Sequence, residues 1–142
     1  MILYYDTSAL IKILIDERGS ELARKLWATA YPAASSILAY PEGRAALATA
    51  RRAGRLRGQS YERSLRTFEG IHEALVSIGV GEQLAKAAGR HATEFGLRGY
   101  DAVHLATALA LGEEEVVFVT WDEGLARAAE SAGLATAGAS GW

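Results

Sequence analysis

Four carboxylates, Asp6, Glu42, Asp101 and Asp122, stand where strand-like runs stop or helices begin. Carboxylates gathered in one cleft repel one another, which raises the pKa of some members unless a cation neutralises them. A hard divalent cation resolves that conflict. Mg²⁺ takes oxygen ligands, keeps several waters and is held by one or two carboxylates plus substrate phosphates, and Mn²⁺ can substitute. Zinc would recruit His or Cys, whereas this chain has no cysteine and its three histidines show no HExxH spacing. The chemistry expected of such a site is attack of metal-activated water on a phosphodiester, a second metal stabilising the leaving oxygen. The products would be a 5′-phosphate on the downstream fragment and a free 3′-hydroxyl. Taken singly, each acid also reads as a helix cap or an exposed charge.

The elements around these acids alternate between strand and helix. Asp6 ends the run Ile2-Leu3-Tyr4-Tyr5, and Asp122 follows Val116 to Thr120 and Trp121, a run rich in β-branched and aromatic residues. Helices are expected over Ser8–Glu17 and Ser20–Ala30, then a weak strand over Ala33–Ser35. A longer helix should run to about Ala53, starting near Tyr40 or kinked there by Pro41. Glu42 then lies near a helix N-terminus, where the macrodipole favours a carboxylate. Ser60 to Ala74 completes a helical hairpin across the turn Gly54–Gly58. Further elements are a strand over Leu75–Val80, helices over Glu82–Glu94 and Asp101–Leu111, a strand over Val116–Thr120, a helix over Glu123–Ser131 and a short strand over Leu134–Thr136. This order predicts an α/β fold with a mainly parallel sheet covered on both faces. Ligands of such sheets bind outside the carboxyl ends of the strands, where Asp6 and Asp122 fall.

At 142 residues, half of them hydrophobic, the chain is expected to form one domain over 1–142. No apolar run reaches the roughly 20 residues that span a bilayer, and the N-terminus lacks a secretion-type core. A cytoplasmic protein with no membrane contact is expected. The net charge of −2 argues against a generally basic nucleic-acid coat. Locally the balance reverses, because seven arginines crowd residues 44–66, a stretch in which Glu62 is the only acid. Arg44, Arg51, Arg52 and Arg55 are the candidate RNA contacts, a phosphate-facing rim for the acidic centre. The bland alternative is a solvated helix pair.

Other residues carry weaker signals. Ala9 to Ile15 is apolar around nearly the whole helix, so a second face needs cover, from the same chain or from a dimer or partner helix. Thr120 ends its strand beside the expected pocket and could hydrogen-bond Asp6, and Thr7 could support a ligand or, like Ser8, cap the following helix. His104 stands three residues beyond Asp101 and reads as a packed core histidine. Trp27 and Trp121 read as buried anchors.

Four segments together carry a family resemblance: Tyr5-Asp6-Thr7-Ser8-Ala9-Leu10, Tyr40-Pro41-Glu42, Leu97-Arg98-Gly99-Tyr100-Asp101-Ala102-Val103-His104-Leu105-Ala106-Thr107-Ala108, and Val119-Thr120-Trp121-Asp122. In order and spacing the chain resembles the PIN-domain ribonucleases, specifically the VapC toxins of toxin–antitoxin pairs. That resemblance implies a three-layer α/β/α sandwich and an acidic pocket for Mg²⁺ or Mn²⁺ built from Asp6, Glu42, Asp101 and Asp122. It implies an endoribonuclease acting on loops of tRNA or ribosomal RNA, a cognate antitoxin that obstructs the site, and a homodimer.

Two rival classes are weighed against it. A phosphoaspartate protein of the phosphatase type needs a second Asp where Ser8 stands, and a receiver domain needs a Lys where Ala135-Thr136-Ala137 offers none. The other is a non-catalytic PIN-like module that only binds RNA or protein, which the presence of all four acids disfavours.

Overall fold

The computed structural model describes residues 1–112 and 115–142. Five strands, β1 (Ile2–Tyr5), β2 (Ala33–Ser36), β3 (Val76–Ile78), β4 (Val116–Thr120) and β5 (Ala135–Gly138), join in the order β3-β2-β1-β4-β5, and every pairing is parallel. The chain steps outward from β1 to β3, then returns to the other side of β1 to lay down β4 and β5. The winding therefore reverses between β1 and β4. Such a switch point opens a crevice at the carboxyl ends of its two strands. Asp6 directly follows β1 and Asp122 lies two residues beyond β4, so the topology itself delivers both acids to that crevice.

Helices α1 (Thr7–Leu14), α2 (Ser20–Trp27), α3 (Ala39–Arg52), α4 (Gln59–Ala74), α5 (Glu82–Phe95), α6 (Gly99–Leu109) and α7 (Glu123–Ser131) supply the other two layers. The two-residue period of β1 divides its side chains between them. Leu3 and Tyr5 join Val117, Val119 and Leu10 of α1 in one core. Tyr4 points the other way, joining Phe118, Leu105 of α6 and Leu125 of α7. Both faces are buried, as a parallel sheet requires. The α3–α4 hairpin has its own core of Leu47, Ala50 and Phe68, closed by Ile15 and Leu56. Gly43 makes that approach possible, because a Cβ there would run into the Phe68 ring.

Element boundaries differ from expectation where tertiary packing decides. α1 stops at Leu14 rather than Glu17, since Ile15 turns to extended backbone and enters the hairpin core. α2 ends at Trp27, short of Ala30, and β2 runs to Ser36 rather than Ser35. α6 begins at Gly99, two residues before Asp101, which puts that carboxylate in the helix's first turn. β5 is shifted to Ala135–Gly138, and Gly138 adopts φ 112° with the Thr120 carbonyl where a Cβ would stand. A larger residue would push β5 off the end of β4 that carries the acids. The apolar α1 is covered from within the chain, by α2, α3 and α4 and by the sheet. Among the described residues no helix is long and apolar enough to cross a membrane.

Candidate active site

Asp6, Glu42, Asp101 and Asp122 line one cleft of about 130 Å³, together with Thr7, Ser8, Arg98, Tyr100 and His104. The residue after β1, α3, α6 and the turn after β4 each contribute one acid, across 116 residues of sequence from Asp6 to Asp122.

Asp6 is the most buried of them, 4% exposed. It caps α1: its Oδ1 accepts from the Ala9 amide at 2.9 Å and from the Ser8 hydroxyl at 2.8 Å. The cap is thus the acid itself and not Ser8 or Thr7. Its Oδ2 accepts from the Thr120 hydroxyl at 2.5 Å, the support expected of Thr120. Thr120 Oγ1 in turn accepts from the Asp122 amide at 3.1 Å, which ties the two acids through one hydroxyl. Burial pushes the Asp6 carboxyl above the usual range, although His104 and the donors from Thr120, Ala9 and Ser8 oppose it.

Glu42 stands in the first turn of α3, with Pro41 just before it in the turn where a missing N–H costs nothing. Two donors converge on its Oε1, the Thr7 hydroxyl at 2.8 Å and His104 Nε2 at 2.9 Å. A carboxylate only accepts, so the proton between them belongs to His104 Nε2. Nδ1 of the same ring lies 2.8 Å from the Tyr4 hydroxyl, which donates to it in the neutral ring. Burial pushes the Tyr4 phenol up, so that it stays protonated. The chain Tyr4, His104, Glu42 therefore runs from the sheet interior to the cleft, with Oε2 of Glu42 left outside it. Burial acts to raise Glu42 too, but the His104 hydrogen bond and field, the Thr7 hydroxyl and the Arg98 charge outweigh it and hold the carboxyl low.

His104 is thus fully buried, as expected of a core histidine, yet its polar atoms serve the site. The signal was its spacing from Asp101, one turn along α6. Arg98, three residues before Asp101, carries the same spacing on the other side. Its Nε donates to Asp101 Oδ2 at 2.9 Å, and its guanidinium reaches within 3.8 Å of Asp122 Oδ2. Asp122 caps α7, its Oδ1 accepting from the Leu125 amide at 2.9 Å.

The donor chemistry suits a hard cation, being made of carboxylates, two of them paired with an exposed arginine, although among the described residues no three His, Asp or Glu side chains are gathered closely enough to hold a metal ion as they stand. An open arrangement of one or two carboxylates completed by water and phosphate is how Mg²⁺ is held. The expected arginine rim divides. Arg55 lines a groove of about 500 Å³ that opens from the cleft through Thr7, Ser8 and Asp122 and contains Lys12 and Trp121. Arg44 pairs with Glu69 at 3.1 Å, Arg51 lies on the Tyr61 ring at 4.7 Å, and Arg52 donates to Thr49; none of the three lines the acid cleft. Trp27 and Trp121 are both partly buried and pack against the α1 core, and Trp121 also flanks the groove.

The PIN domain family matches residues 3–131, a span containing all four acids. The chain belongs to the PIN-domain VapC ribonucleases. It is 41% identical over 136 residues to Ribonuclease VapC45 of Mycobacterium tuberculosis, covering 96% of this chain and 94% of that one. PIN-domain VapC ribonucleases are typically metal-dependent. Among solved structures, PAE2754 from Pyrobaculum aerophilum aligns with a TM-score of 0.71 at 21% identity, over 96% of this chain and 83% of its own. A toxin–antitoxin complex from Klebsiella pneumoniae aligns with a TM-score of 0.57 at 18% identity, over 84% and 86% of the two chains. At those identities the structures speak for the PIN fold, which the parallel five-stranded sheet shares.

Proposed function

We propose that residues 1–142 form one nuclease unit, the toxin of a toxin–antitoxin pair, that hydrolyses RNA phosphodiesters with Mg²⁺ or Mn²⁺ held at Asp6, Asp101 and Asp122. The observation that carries this is the convergence of four carboxylates at the β1–β4 switch point of a PIN-domain VapC chain. A divalent cation bound there supplies acidity to water and positive charge to the phosphate oxygens. Asp6 and Asp101 are the main ligands, with Asp122 beside them. Glu42 orients water or ligates directly, and its low carboxyl keeps it ionised for either task. Thr7 and Thr120 hold Glu42 and Asp6 from behind.

RNA with unpaired loops, such as tRNA or ribosomal RNA, is the proposed substrate, running from the cleft into the groove past Arg55. A cognate antitoxin is the proposed partner, supported by the likeness to a chain of the Klebsiella pneumoniae complex. A homodimer rests on the family resemblance alone, because α1 is covered by its own chain.

The test is cleavage of a structured-RNA pool by purified protein with Mg²⁺ or Mn²⁺, beside EDTA and Asp6→Asn controls. Metal-dependent cuts that vanish in the variant are expected, with 5′-phosphate and 3′-hydroxyl ends. Equal cutting by the variant would assign the activity to a contaminant, and a cyclic 2′,3′-phosphate would exclude attack by water.

A further inference from the structure

The mouth of the acid cleft carries one aromatic ring and one guanidinium. Tyr100 is 45% exposed although it stands in the first turn of α6, next to Asp101, where a small polar residue would serve the helix as well. The Arg98 guanidinium lies 5.0 Å from the centre of that ring, in cation–π contact. Arg98 is also the only Lys or Arg among the residues lining the cleft. Its contacts at 2.9 Å to Asp101 and 3.8 Å to Asp122 make it the counter-ion of the two outer acids when no other cation is bound.

Those contacts set up an exchange. A divalent cation held at Asp101 and Asp122 would compete with Arg98 for them, and a freed guanidinium, planar and always charged, would be matched in shape to a phosphate. A phosphodiester attracted by a cation on those acids would bring an adjoining base to the mouth of the cleft, where Tyr100 stands. A base held in a duplex is already stacked on both faces, so the ring can receive only an unpaired one.

We propose that Arg98 and Tyr100 form a nucleotide subsite at the lip of the cleft, Tyr100 stacking on an unpaired base adjoining the scissile phosphate and Arg98 passing from the outer acids to the phosphate chain. This rests on the ribonuclease reading and specifies which element of the RNA the site requires.

The test uses the full chain without partner and ten-nucleotide single-stranded RNAs, each carrying one 2-aminopurine, with Ca²⁺ replacing Mg²⁺ to hold turnover low. The same oligomers paired to their complements form the second arm. Mn²⁺ alone, titrated by calorimetry, forms the third. Tyr100→Leu should weaken single-strand binding about ten- to hundredfold, abolish quenching of 2-aminopurine at one position and leave duplex binding unchanged. Tyr31→Leu, at the opposite end of the strands and 46% exposed, should change none of these. Arg98→Ala should bind Mn²⁺ more tightly than the parent while binding RNA at least about fivefold more weakly. A residue that merely held the acids in place would move both affinities in one direction.

Unchanged single-strand binding and quenching in Tyr100→Leu would overturn the stacking subsite. Weaker Mn²⁺ binding in Arg98→Ala would overturn the exchange. Both failures are separable from failure of the nuclease reading, which is decided by cleavage in Asp6→Asn and not by these binding measurements.

Discussion

The two walls of the cleft hold their carboxylates by different means. On the inner wall, Asp6 and Glu42 accept fixed donors from Thr120, Ser8, Ala9, Thr7 and His104, all supplied by the sheet end and the helices against it. On the outer wall, Asp122 takes one fixed donor, the Leu125 amide, and its other oxygen shares with Asp101 the exposed side chain of Arg98. Groups that must keep one geometry through a reaction gain from donors that cannot leave, because no reorganisation is then needed when charge develops. Groups that must admit a cation and a phosphate gain from a counter-ion that can leave. The inner wall is therefore the preorganised half of the site and the outer wall its exchangeable half.

The largest expected effect treats the walls alike and then separates them. Asp6→Asn and Asp101→Asn should each lose about a thousandfold or more in cleavage, several kcal/mol of charge stabilisation in the transition state. Asp6→Asn should also change the pH dependence of metal-free stability. Burial raises the Asp6 carboxyl, so in the window between the usual carboxylate range and that raised value the folded protein holds a proton that the unfolded chain has released. Metal-free stability then falls as pH rises through the window. An amide cannot ionise and still caps α1. Thermal melts of the EDTA-treated proteins should show Asp6→Asn gaining on the parent as pH rises. A constant difference between the two across that window would remove the buried carboxyl as the source of the loss.

Next in size is the line Tyr4, His104, Glu42. His104→Phe keeps a ring in the pocket but leaves Glu42 with Thr7 alone, and loss of such supporting partners costs about 10–100-fold. The loss should fall on kcat, and Mn²⁺ affinity should change less, because Glu42 is not among the proposed main ligands. The low Glu42 carboxyl owes most of its depression to His104, so the acid limb of the rate profile should move to higher pH in the variant. A fall in activity matched by an equal fall in Mn²⁺ affinity, with the acid limb unmoved, would make His104 a packing residue after all.

The acids of both walls are legible in the sequence, and most of the groups that hold them are not. Asp6 and Asp122 could be read because each ends a run of strand-forming residues, and a parallel sheet gathers such ends on one edge. Thr120 followed from the same logic. The pairing of His104 with Glu42 spans 62 residues and joins two helices whose relative placement no local pattern encodes. His104 sits among Leu105, Ala106 and Ala108, so its neighbours advertised a core position, and it is one. The cap of α1 is Asp6, one and two residues before Thr7 and Ser8, because a carboxylate at a strand end can cap the next helix and face the crevice at once. Arginines were sought where they were dense, and density along a helix says nothing about which face meets the site.

That last point yields the smallest effect. Arg51 and Arg52 end α3, about 14 Å from Glu42 at 1.5 Å per residue. Arg55 lies past the turn, in the groove that adjoins the cleft, held only by a 3.8 Å contact with Glu17. Each phosphate contact on single-stranded RNA contributes roughly 0.7 to the slope of log affinity against log salt. Arg55→Ala alone should therefore flatten the slope by about that amount and weaken binding severalfold at moderate salt. Adding Arg51→Ala and Arg52→Ala should add little beyond a general loss of positive field, and Mn²⁺ affinity should be spared in all three. If the double variant without Arg55→Ala flattened the slope as much, the RNA would track the outer face of α3 and leave the groove beside Trp121 unused.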